Sequence, residues 1–266
     1  MKRRSNKKFR SFIATLACEF LTLLWPVVGV SAEEPPLNKF SMTWNRDTFD
    51  QGFDSWDETS ISASHKFNWG TAVARASRNW KFGDTGTQFE LDGYISVREG
   101  AYIYVNVGQS SDTTYPVRRY GGEFYQNLPD SWEASLGIRD LIFSKSEVKI
   151  YTGTVGKYWG NYYFLLRLNV IPDDAGTSSS FNLQARRYLS DETYFALSAG
   201  SGKSYEMLTA NSPVVILGSK KVSLEIYERL AELWYGSAGI SVIDEEIRSG
   251  VYRRDTSYSL GLEKRF

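Results

Sequence analysis

The stretch QFELDGYISV, residues 88–97, alternates apolar or small side chains with polar ones along its whole length. One face carries Phe89, Leu91, Gly93, Ile95 and Val97. The other face carries Glu90, Asp92, Tyr94 and Ser96. Because successive side chains of a β-strand point to opposite sides, this period of two predicts a strand with one apolar face and one polar face.

The same alternation recurs along the chain, which indicates a fold built almost entirely of strands. It is found in SWEASLGIRD (131–140), NYYFLLRLNV (161–170), SFNLQARRY (180–188), KVSLEIYER (221–229) and, less cleanly, AYIYVNVGQ (101–109). Short breaks recur along the chain in FNWG near 68, VREG near 98, LPDS near 129, KYWG near 159, LSDE near 190 and RLAE near 231. The first four spacings are about 30 residues and the last is about 41. Longer polar breaks lie between them, in 50–55, 83–86, 110–114, 144–146, 172–177, 202–213 and 244–250.

A period near 30 residues accommodates two strands of about 11 residues, one short turn and one longer loop. We therefore predict an all-β fold, an up-and-down antiparallel transmembrane β-barrel of about 14 strands, with 12 as the next expectation. Its first strand is expected at about 39–49 and its last at about 254–266. Closure into a barrel removes the two unpaired edges that an open sheet would expose.

The polar faces of these strands are expected to line the lumen, because one layer of side chains cannot fill so wide a barrel with an apolar core. The apolar faces would then contact lipid. The predicted lumen-facing residues are Glu90, Asp92, Glu133, Arg139, Arg167, Arg186, Glu225 and Arg229. These charges either line a narrow pore or neutralise one another in a closed interior, and the sequence leaves both open. Tryptophan rings near strand ends of membrane barrels typically lie at the depth of the lipid headgroups. Four tryptophans are near predicted strand ends: Trp69, Trp80, Trp132 and Trp159.

The N-terminus has the pattern of a cleavable signal peptide over residues 1–32. A basic segment, MKRRSNKKFR, precedes an apolar run and a VSA site that ends at Ala32. We expect export by the general secretory pathway, a short periplasmic segment over 33–38 and a barrel over 39–266. The alternatives are a retained membrane anchor, which Glu19 and Pro26 would interrupt, and lipid attachment at Cys18. Cys18 is the single cysteine, which excludes a disulfide framework and a thiolate metal site.

The segment YGGEFYQNLPDSWEASLGIRD (120–140), together with the signal peptide and the aromatic end of the last strand, resembles the YaiO family of outer-membrane β-barrels. The resemblance covers nearly the whole chain after residue 32 and implies a monomeric barrel in the cell outer membrane.

The last ten residues, SYSLGLEKRF (257–266), are similar to the signal by which the barrel assembly machinery recognises outer-membrane proteins. The positions that match are Tyr258, Leu260, Gly261 and Phe266. Lys264 departs from the pattern, because an apolar or aromatic residue is usual two places before the end. Alternatively, Phe266 only completes a strand.

The leading functional hypothesis is a non-enzymatic protein, either a small channel or a surface-associated structural component, with outer-membrane lipid and lipopolysaccharide as partners. We expect no cofactor and no metal, and no nucleic-acid partner, because no dense basic patch is present. The carboxylates of Asp173-Asp174 and Asp244-Glu245-Glu246 are expected to be solvated loop charges; Ca²⁺ or a divalent bridge to lipopolysaccharide is the alternative.

Two other functions remain open. A lipid-modifying acyl hydrolase would use the single histidine, His65, with Ser62 or Ser64. A soluble secreted β-barrel binding protein would instead place its apolar faces inward.

Overall fold

The computed structural model describes residues 38–50, 52–173, 176–209, 212–248 and 250–266. The predicted signal peptide, Cys18, most of the 33–38 segment and Asp174 lie outside the described residues.

The described residues form fourteen antiparallel strands and one 3-10 turn, Pro129–Ser131. The strands are β1 Asn38–Phe49, β2 Trp56–Phe67, β3 Gly70–Lys81, β4 Asp84–Arg98, β5 Ala101–Ser110, β6 Arg118–Leu128, β7 Trp132–Ile142, β8 Glu147–Trp159, β9 Tyr162–Asp173, β10 Gly176–Ser190, β11 Thr193–Glu206, β12 Val215–Ala231, β13 Trp234–Arg248 and β14 Val251–Arg265.

Each strand pairs with its neighbours along the chain, and β14 pairs with β1 to close the barrel. In the closing pair, Thr43 lies opposite Gly261 and Lys39 lies opposite Arg265. Closure leaves no strand edge unpaired, and thus the predicted fold and the strand number of 14 are confirmed.

The two ends of the barrel differ in their connections. At one end, here the turn end, short connections follow the even-numbered strands from β2 to β12, and β1 begins there. Gly70 opens β3 at this end with φ of +145°, and a Cβ atom there would meet the Tyr94 carbonyl oxygen at 1.8 Å, so only glycine fits. The opposite end, here the loop end, carries the connections after the odd-numbered strands.

Four of the predicted polar breaks are shorter than expected, because the strands continue into them. Strand β4 begins at Asp84, β9 extends to Asp173 and β10 begins at Gly176. Strand β11 extends to Glu206 and β13 extends to Arg248. Residues 202–206 and 244–248 are therefore paired with their neighbouring strands instead of forming loop.

The outer surface is apolar, and the inside is largely polar. Leu136 is 75% exposed and Phe89 is 64% exposed, whereas Glu90, next to Phe89, is 2% exposed. Trp69, Trp132 and Trp159 are exposed near the turn end, and Trp80 is exposed near the loop end. Such an arrangement suits lipid contact outside, with aromatic rings at headgroup depth.

Candidate functional site: the polar interior

Buried ion pairs cover one wall of the lumen, on strands β3 to β6. The Glu90 carboxylate lies 2.8 Å from Arg119 Nη1 and 3.6 Å from Arg75 Nη1. Asp92 lies 3.2 Å from Arg75 Nη2 and also accepts a 2.8 Å hydrogen bond from the Tyr104 hydroxyl. Because each carboxylate has a cationic partner, the wall is locally close to neutral.

A second group of ion pairs continues this wall across β6, β7 and β9. Arg139 and Arg167 each place a guanidinium nitrogen 3.5 Å from Oε2 of Glu123. All three side chains are at most 3% exposed. The sequence analysis named the two arginines but not Glu123, their shared partner.

Buried tyrosines fill the interior near the turn end. The members of this tyrosine belt are Tyr104, Tyr125, Tyr163, Tyr188, Tyr194, Tyr227 and Tyr235. Several of their hydroxyls donate to carboxylates: Tyr163 to Glu133, Tyr194 to Glu225 at 3.0 Å and Tyr227 to Glu263 at 3.1 Å. Rings 194 and 227 are stacked, with centroids 5.3 Å apart. The belt thus occupies the turn end from β5 round to β13.

Arg186 belongs to the same packed region, whereas Arg229 lies at its rim. The Arg186 guanidinium carbon lies 4.2 Å from the centre of the Tyr194 ring, and the residue is fully buried. Arg229 is exposed and forms a 2.6 Å ion pair with Glu192 in the connection between β10 and β11. Its charge is therefore at the mouth of the barrel and not in its middle.

Packed side chains also fill the loop end. One apolar cluster is formed by Leu141, Val148, Ile150 and Ile171. At the same end of the barrel, on β14 and β13, Arg253 forms a 2.6 Å ion pair with Glu245, and both side chains are 2% exposed. The Arg253 guanidinium also lies 4.3 Å from the Phe49 ring and 5.2 Å from the Trp56 ring. Cation–π contacts of this kind stabilise a buried arginine.

A hydroxyl-rich surface forms the opposite wall of the lumen, on strands β13, β14, β1 and β2. We define this hydroxyl wall as Ser41, Thr43, Ser62, Ser64, Ser237, Ser257 and Ser259. All seven lie at inward positions of their strands, and all are partly exposed. Inward residues on the facing strands, such as Gln88 at 1% and Thr152 at 4%, are buried. The hydroxyl wall is therefore more accessible than these facing residues.

Three polar residues lie beyond the hydroxyl wall toward the loop end and form a polar floor. Asn45, Glu58 and Asn79 are register neighbours on β1, β2 and β3. They are 4%, 5% and 2% exposed. Both polar side-chain atoms of Asn45, Oε1 of Glu58 and Nδ2 of Asn79 make no hydrogen bond within the described part of the chain. The floor therefore keeps hydrogen-bonding capacity unused.

The connection between β5 and β6, residues 111–117, folds into the barrel onto this polar floor. The Tyr115 hydroxyl donates a 2.9 Å hydrogen bond to Oε2 of Glu58. The Thr114 hydroxyl donates a 2.7 Å hydrogen bond to Oδ1 of Asn79. Burial, with a further contribution from Glu58, raises the pKa of Tyr115, so its hydroxyl keeps the proton that it donates. The 111–117 loop thus covers the floor from the loop end.

Seven of the eight predicted lumen residues have buried side chains inside the barrel, and Arg229 is at the rim. The sequence analysis did not identify the polar floor, Tyr115 or Arg253. Its prediction that Glu245 is a solvated loop charge was wrong, because Glu245 lies within β13 and is 2% exposed. Asn45 and Glu58 could have been found by extending the alternation along β1 and β2. No periodic pattern marks Tyr115, because it lies in a loop.

The residues considered for catalysis and metal binding are separated in the structure. Ser62 and Ser64 face the lumen, whereas His65 lies at an outward position, where it contacts the Asn38 side chain. Asp244 and Glu246 point outward while Glu245 points inward, and Asp244 pairs with Arg254 at 2.7 Å. In the described residues, no group of three or more His, Cys, Asp or Glu side chains could hold a metal ion.

The predicted assembly signal lies on the outer face of β14, except Gly261, which faces inward. Tyr258, Leu260 and Phe266 are 44%, 55% and 58% exposed. The Lys264 ammonium lies 4.9 Å from the Phe266 ring and 5.4 Å from the Trp234 ring. The charge is therefore placed between two aromatic rings at the turn end.

A closed antiparallel barrel with an apolar exterior and a polar interior defines the class as a membrane β-barrel of the outer-membrane type. A family model described as "YaiO membrane beta barrel domain" matches residues 37–206. The chain belongs to this family. The matched range ends with β11. Within the described ranges, no helix is long and apolar enough to span a bilayer.

Solved structures with the same fold have very different sequences. A bacterial polysaccharide outer membrane secretin is 10% identical, with a TM-score of 0.58 over 87% of this chain and 99% of that chain. The CymD monoaromatic hydrocarbon channel is 8% identical, with a TM-score of 0.57 over 87% and 89%. The Acinetobacter baumannii outer membrane protein Omp33 is 8% identical, with a TM-score of 0.53 over 87% and 100%. No curated protein matches the sequence. These likenesses establish the fold.

Proposed function

We propose that the protein is a non-enzymatic outer-membrane channel of narrow bore, whose passage runs along the hydroxyl wall. The observation that carries the proposal is the unequal exposure of the two sides of the lumen. Ser62, Ser64 and Ser259 are partly exposed, whereas Glu90 and Asp92 are 2% and 3% exposed. A solute would therefore move beside β13, β14, β1 and β2, where small side chains leave space.

The chemistry of this side suits a passage for polar solutes. Serine and threonine hydroxyls donate and accept hydrogen bonds, so they can replace part of the hydration of a solute. The ion pairs and the tyrosine belt on the other side instead pack against one another and act as structural filling.

With the 111–117 loop inside the lumen, the proposed channel is in its closed state. Tyr115 and Thr114 hydrogen-bond the polar floor at the point where the hydroxyl wall ends. Opening requires these two hydrogen bonds to break and the loop to leave the lumen.

Two further points support the proposal. The CymD structure, which shares this fold, is described as a monoaromatic hydrocarbon channel, and a second structure with this fold is described as a bacterial polysaccharide outer membrane secretin. We further propose export by the general secretory pathway after removal of 1–32, insertion by the barrel assembly machinery with the turn end in the periplasm, and contact with lipid and lipopolysaccharide as a monomer.

Ionic conductance of the refolded protein in planar bilayers tests the proposal. We expect small step-like currents that Ser62→Trp lowers, because the ring would enter the passage. Ile61→Trp is the matched control, because Ile61 faces outward and is 46% exposed. Folding of each variant is checked by heat-modifiable gel mobility. A folded wild type that never conducts would overturn the channel and leave a structural component.

A further inference from the structure

We infer that the passage carries opposite charges at its two ends and therefore rectifies ion current. It conducts better when cations move from the loop end to the turn end than when they move in reverse. This inference rests on the proposed channel and specifies how ions cross it. It is carried by the charged residues at the two ends of the hydroxyl wall, on β14, β1 and β2.

Each of these three strands has an inward carboxylate near the loop end and an inward cation at the turn end, with residues of the hydroxyl wall between them. The carboxylate and the cation of each strand are Asp47 and Lys39 on β1, Glu58 and Lys66 on β2, and Asp255 and Arg265 on β14. On β1 and on β2 the two charged residues are eight positions apart. That spacing corresponds to about 27 Å along a strand, so the two charged ends are well separated.

At the loop end, carboxylates outnumber cations. Lys81 of β3 and Lys221 of β12 lie close enough to attract the Asp47 carboxylate. Arg253 pairs with Glu245 at 2.6 Å. In the part of the chain that the structure describes, the charged groups that act on one another here are five carboxylates, Asp47, Glu58, Glu206, Glu245 and Asp255, and three cations, Lys81, Lys221 and Arg253. The excess of negative charge attracts cations from solution to this end of the passage.

At the turn end, cations outnumber carboxylates. Lys39 lies opposite Arg265 in the sheet, and Lys66 is the last inward residue of β2. Glu263 pairs with the Lys39 ammonium and accepts a 2.7 Å hydrogen bond from Nε of Arg265. With the rim pair included, the group consists of four cations, Lys39, Lys66, Arg229 and Arg265, and two carboxylates, Glu192 and Glu263. The excess of positive charge attracts anions to this end.

Opposite charges at the two ends make the conductance depend on the direction of the voltage. One direction drives cations from the loop end and anions from the turn end, so both ions move from the zone in which they are concentrated into the passage. The reverse voltage draws both ions out of the passage, and each end supplies few ions of the kind needed to replace them. At about 0.1 M salt the Debye length is about 10 Å. Because this is shorter than the separation of the two ends, each end keeps its own ion atmosphere.

Single-channel currents at equal voltages of opposite sign test the inference, because a single channel keeps one orientation in the bilayer. The recordings are made in alkaline buffer, in which carboxyl groups are ionised and lysines keep their charge. We expect unequal currents in about 0.1 M potassium chloride, and equal currents in about 1 M potassium chloride, where the Debye length is only about 3 Å. Equal currents from the wild type at the lower salt concentration would overturn the inference.

Neutral variants at the two ends test the origin of the rectification. Asp47→Asn and Lys66→Gln each remove one charge and nearly keep the size of the side chain. We expect each variant to lose part of the rectification and the double variant to lose most of it. The controls are Asp57→Asn and Lys157→Gln, which remove outward charges beside Arg46 at the loop end and beside Trp132 at the turn end.

Both controls should rectify as the wild type does, and heat-modifiable gel mobility checks that every variant folds. Wild-type rectification in the folded double variant, or the same loss in the controls, would overturn the assignment to these two ends. The failure of this inference differs from failure of the proposed function. Currents of equal size in both directions would remove the rectification and keep the channel, whereas absence of current from folded protein would remove both.

Discussion

The hydroxyl of Tyr115 lies 2.9 Å from Oε2 of Glu58 and donates a hydrogen bond to it, which links a loop at one end of the barrel to a strand 57 residues earlier in the chain. Glu58 also lies beside Asn45 in the sheet. A single contact therefore connects the 111–117 loop to the polar floor.

Removing the Tyr115 hydroxyl should favour the open state. Tyr115→Phe keeps the ring but deletes the hydrogen bond to a carboxylate, which contributes about 1.5–3 kcal/mol. We predict that the ratio of open to closed time in single-channel recordings rises by about tenfold or more. Tyr120→Phe is the control, because Tyr120 is on the outer surface and 45% exposed. Equal open times in both variants would refute the role of the loop.

Arg253 and Arg254 should differ greatly in their contribution to stability, although they are adjacent. Arg253→Ala leaves Glu245 buried without its cation, and we predict a loss of about 3–5 kcal/mol in the free energy of unfolding. Arg254→Ala breaks an exposed pair with Asp244, which solvent screens, and it should lower the free energy of unfolding far less than Arg253→Ala. Urea unfolding of the refolded protein in lipid vesicles measures both. Similar losses would show that the Arg253 site is less well packed than described.

The glycines of the strands should tolerate alanine unequally. A Cβ atom on Gly156 would lie 2.7 Å from the Tyr163 hydroxyl and 2.8 Å from Cγ of Glu133, and these two side chains are buried and hydrogen-bonded to each other. We predict that Gly156→Ala lowers the free energy of unfolding by about 1–3 kcal/mol, the usual cost of overpacking.

Gly122→Ala serves as its control, because a Cβ atom there would have no neighbour within 4 Å. The same unfolding experiment compares the two variants. If Gly156→Ala were as stable as Gly122→Ala, the tyrosine belt would have to be loosely packed.

Phe266 should affect assembly more than stability. Its ring is 58% exposed and contacts the Lys264 ammonium, so the folded barrel loses little packing in Phe266→Ala. We predict a lower yield of protein in the outer membrane, measured by fractionation, with an unchanged urea midpoint for the fraction that folds. Phe40→Ala, on the neighbouring strand β1 and 46% exposed, is the control. Equal yields would contradict recognition of the terminal aromatic residue.

The fold could be predicted from the sequence because two features that specify it are local: the alternation of apolar and polar residues along each strand, and the spacing of the turns between strands. Phe89 and Glu90 occupy opposite faces of β4, as expected for a strand between lipid and lumen. The position of Tyr115 could not be predicted, because it depends on a contact with Glu58, and loops carry no periodicity. Arg253 was not predicted, and Glu245 was wrongly predicted to be a solvated loop charge, because β13 and β14 continue past the boundaries that the polar residues indicated.

Cysteine accessibility tests the central claim, the off-centre passage, most directly. In a Cys18→Ser background, single cysteines replace Ser259 on the hydroxyl wall and Ser135 on the opposite wall, where Ser135 is 4% exposed. A charged, water-soluble thiol reagent is added during conductance recording. We predict that Ser259→Cys reacts and its current falls, whereas Ser135→Cys stays unreactive with its current unchanged. Reaction and block at position 135, or equal block at both positions, would contradict the account.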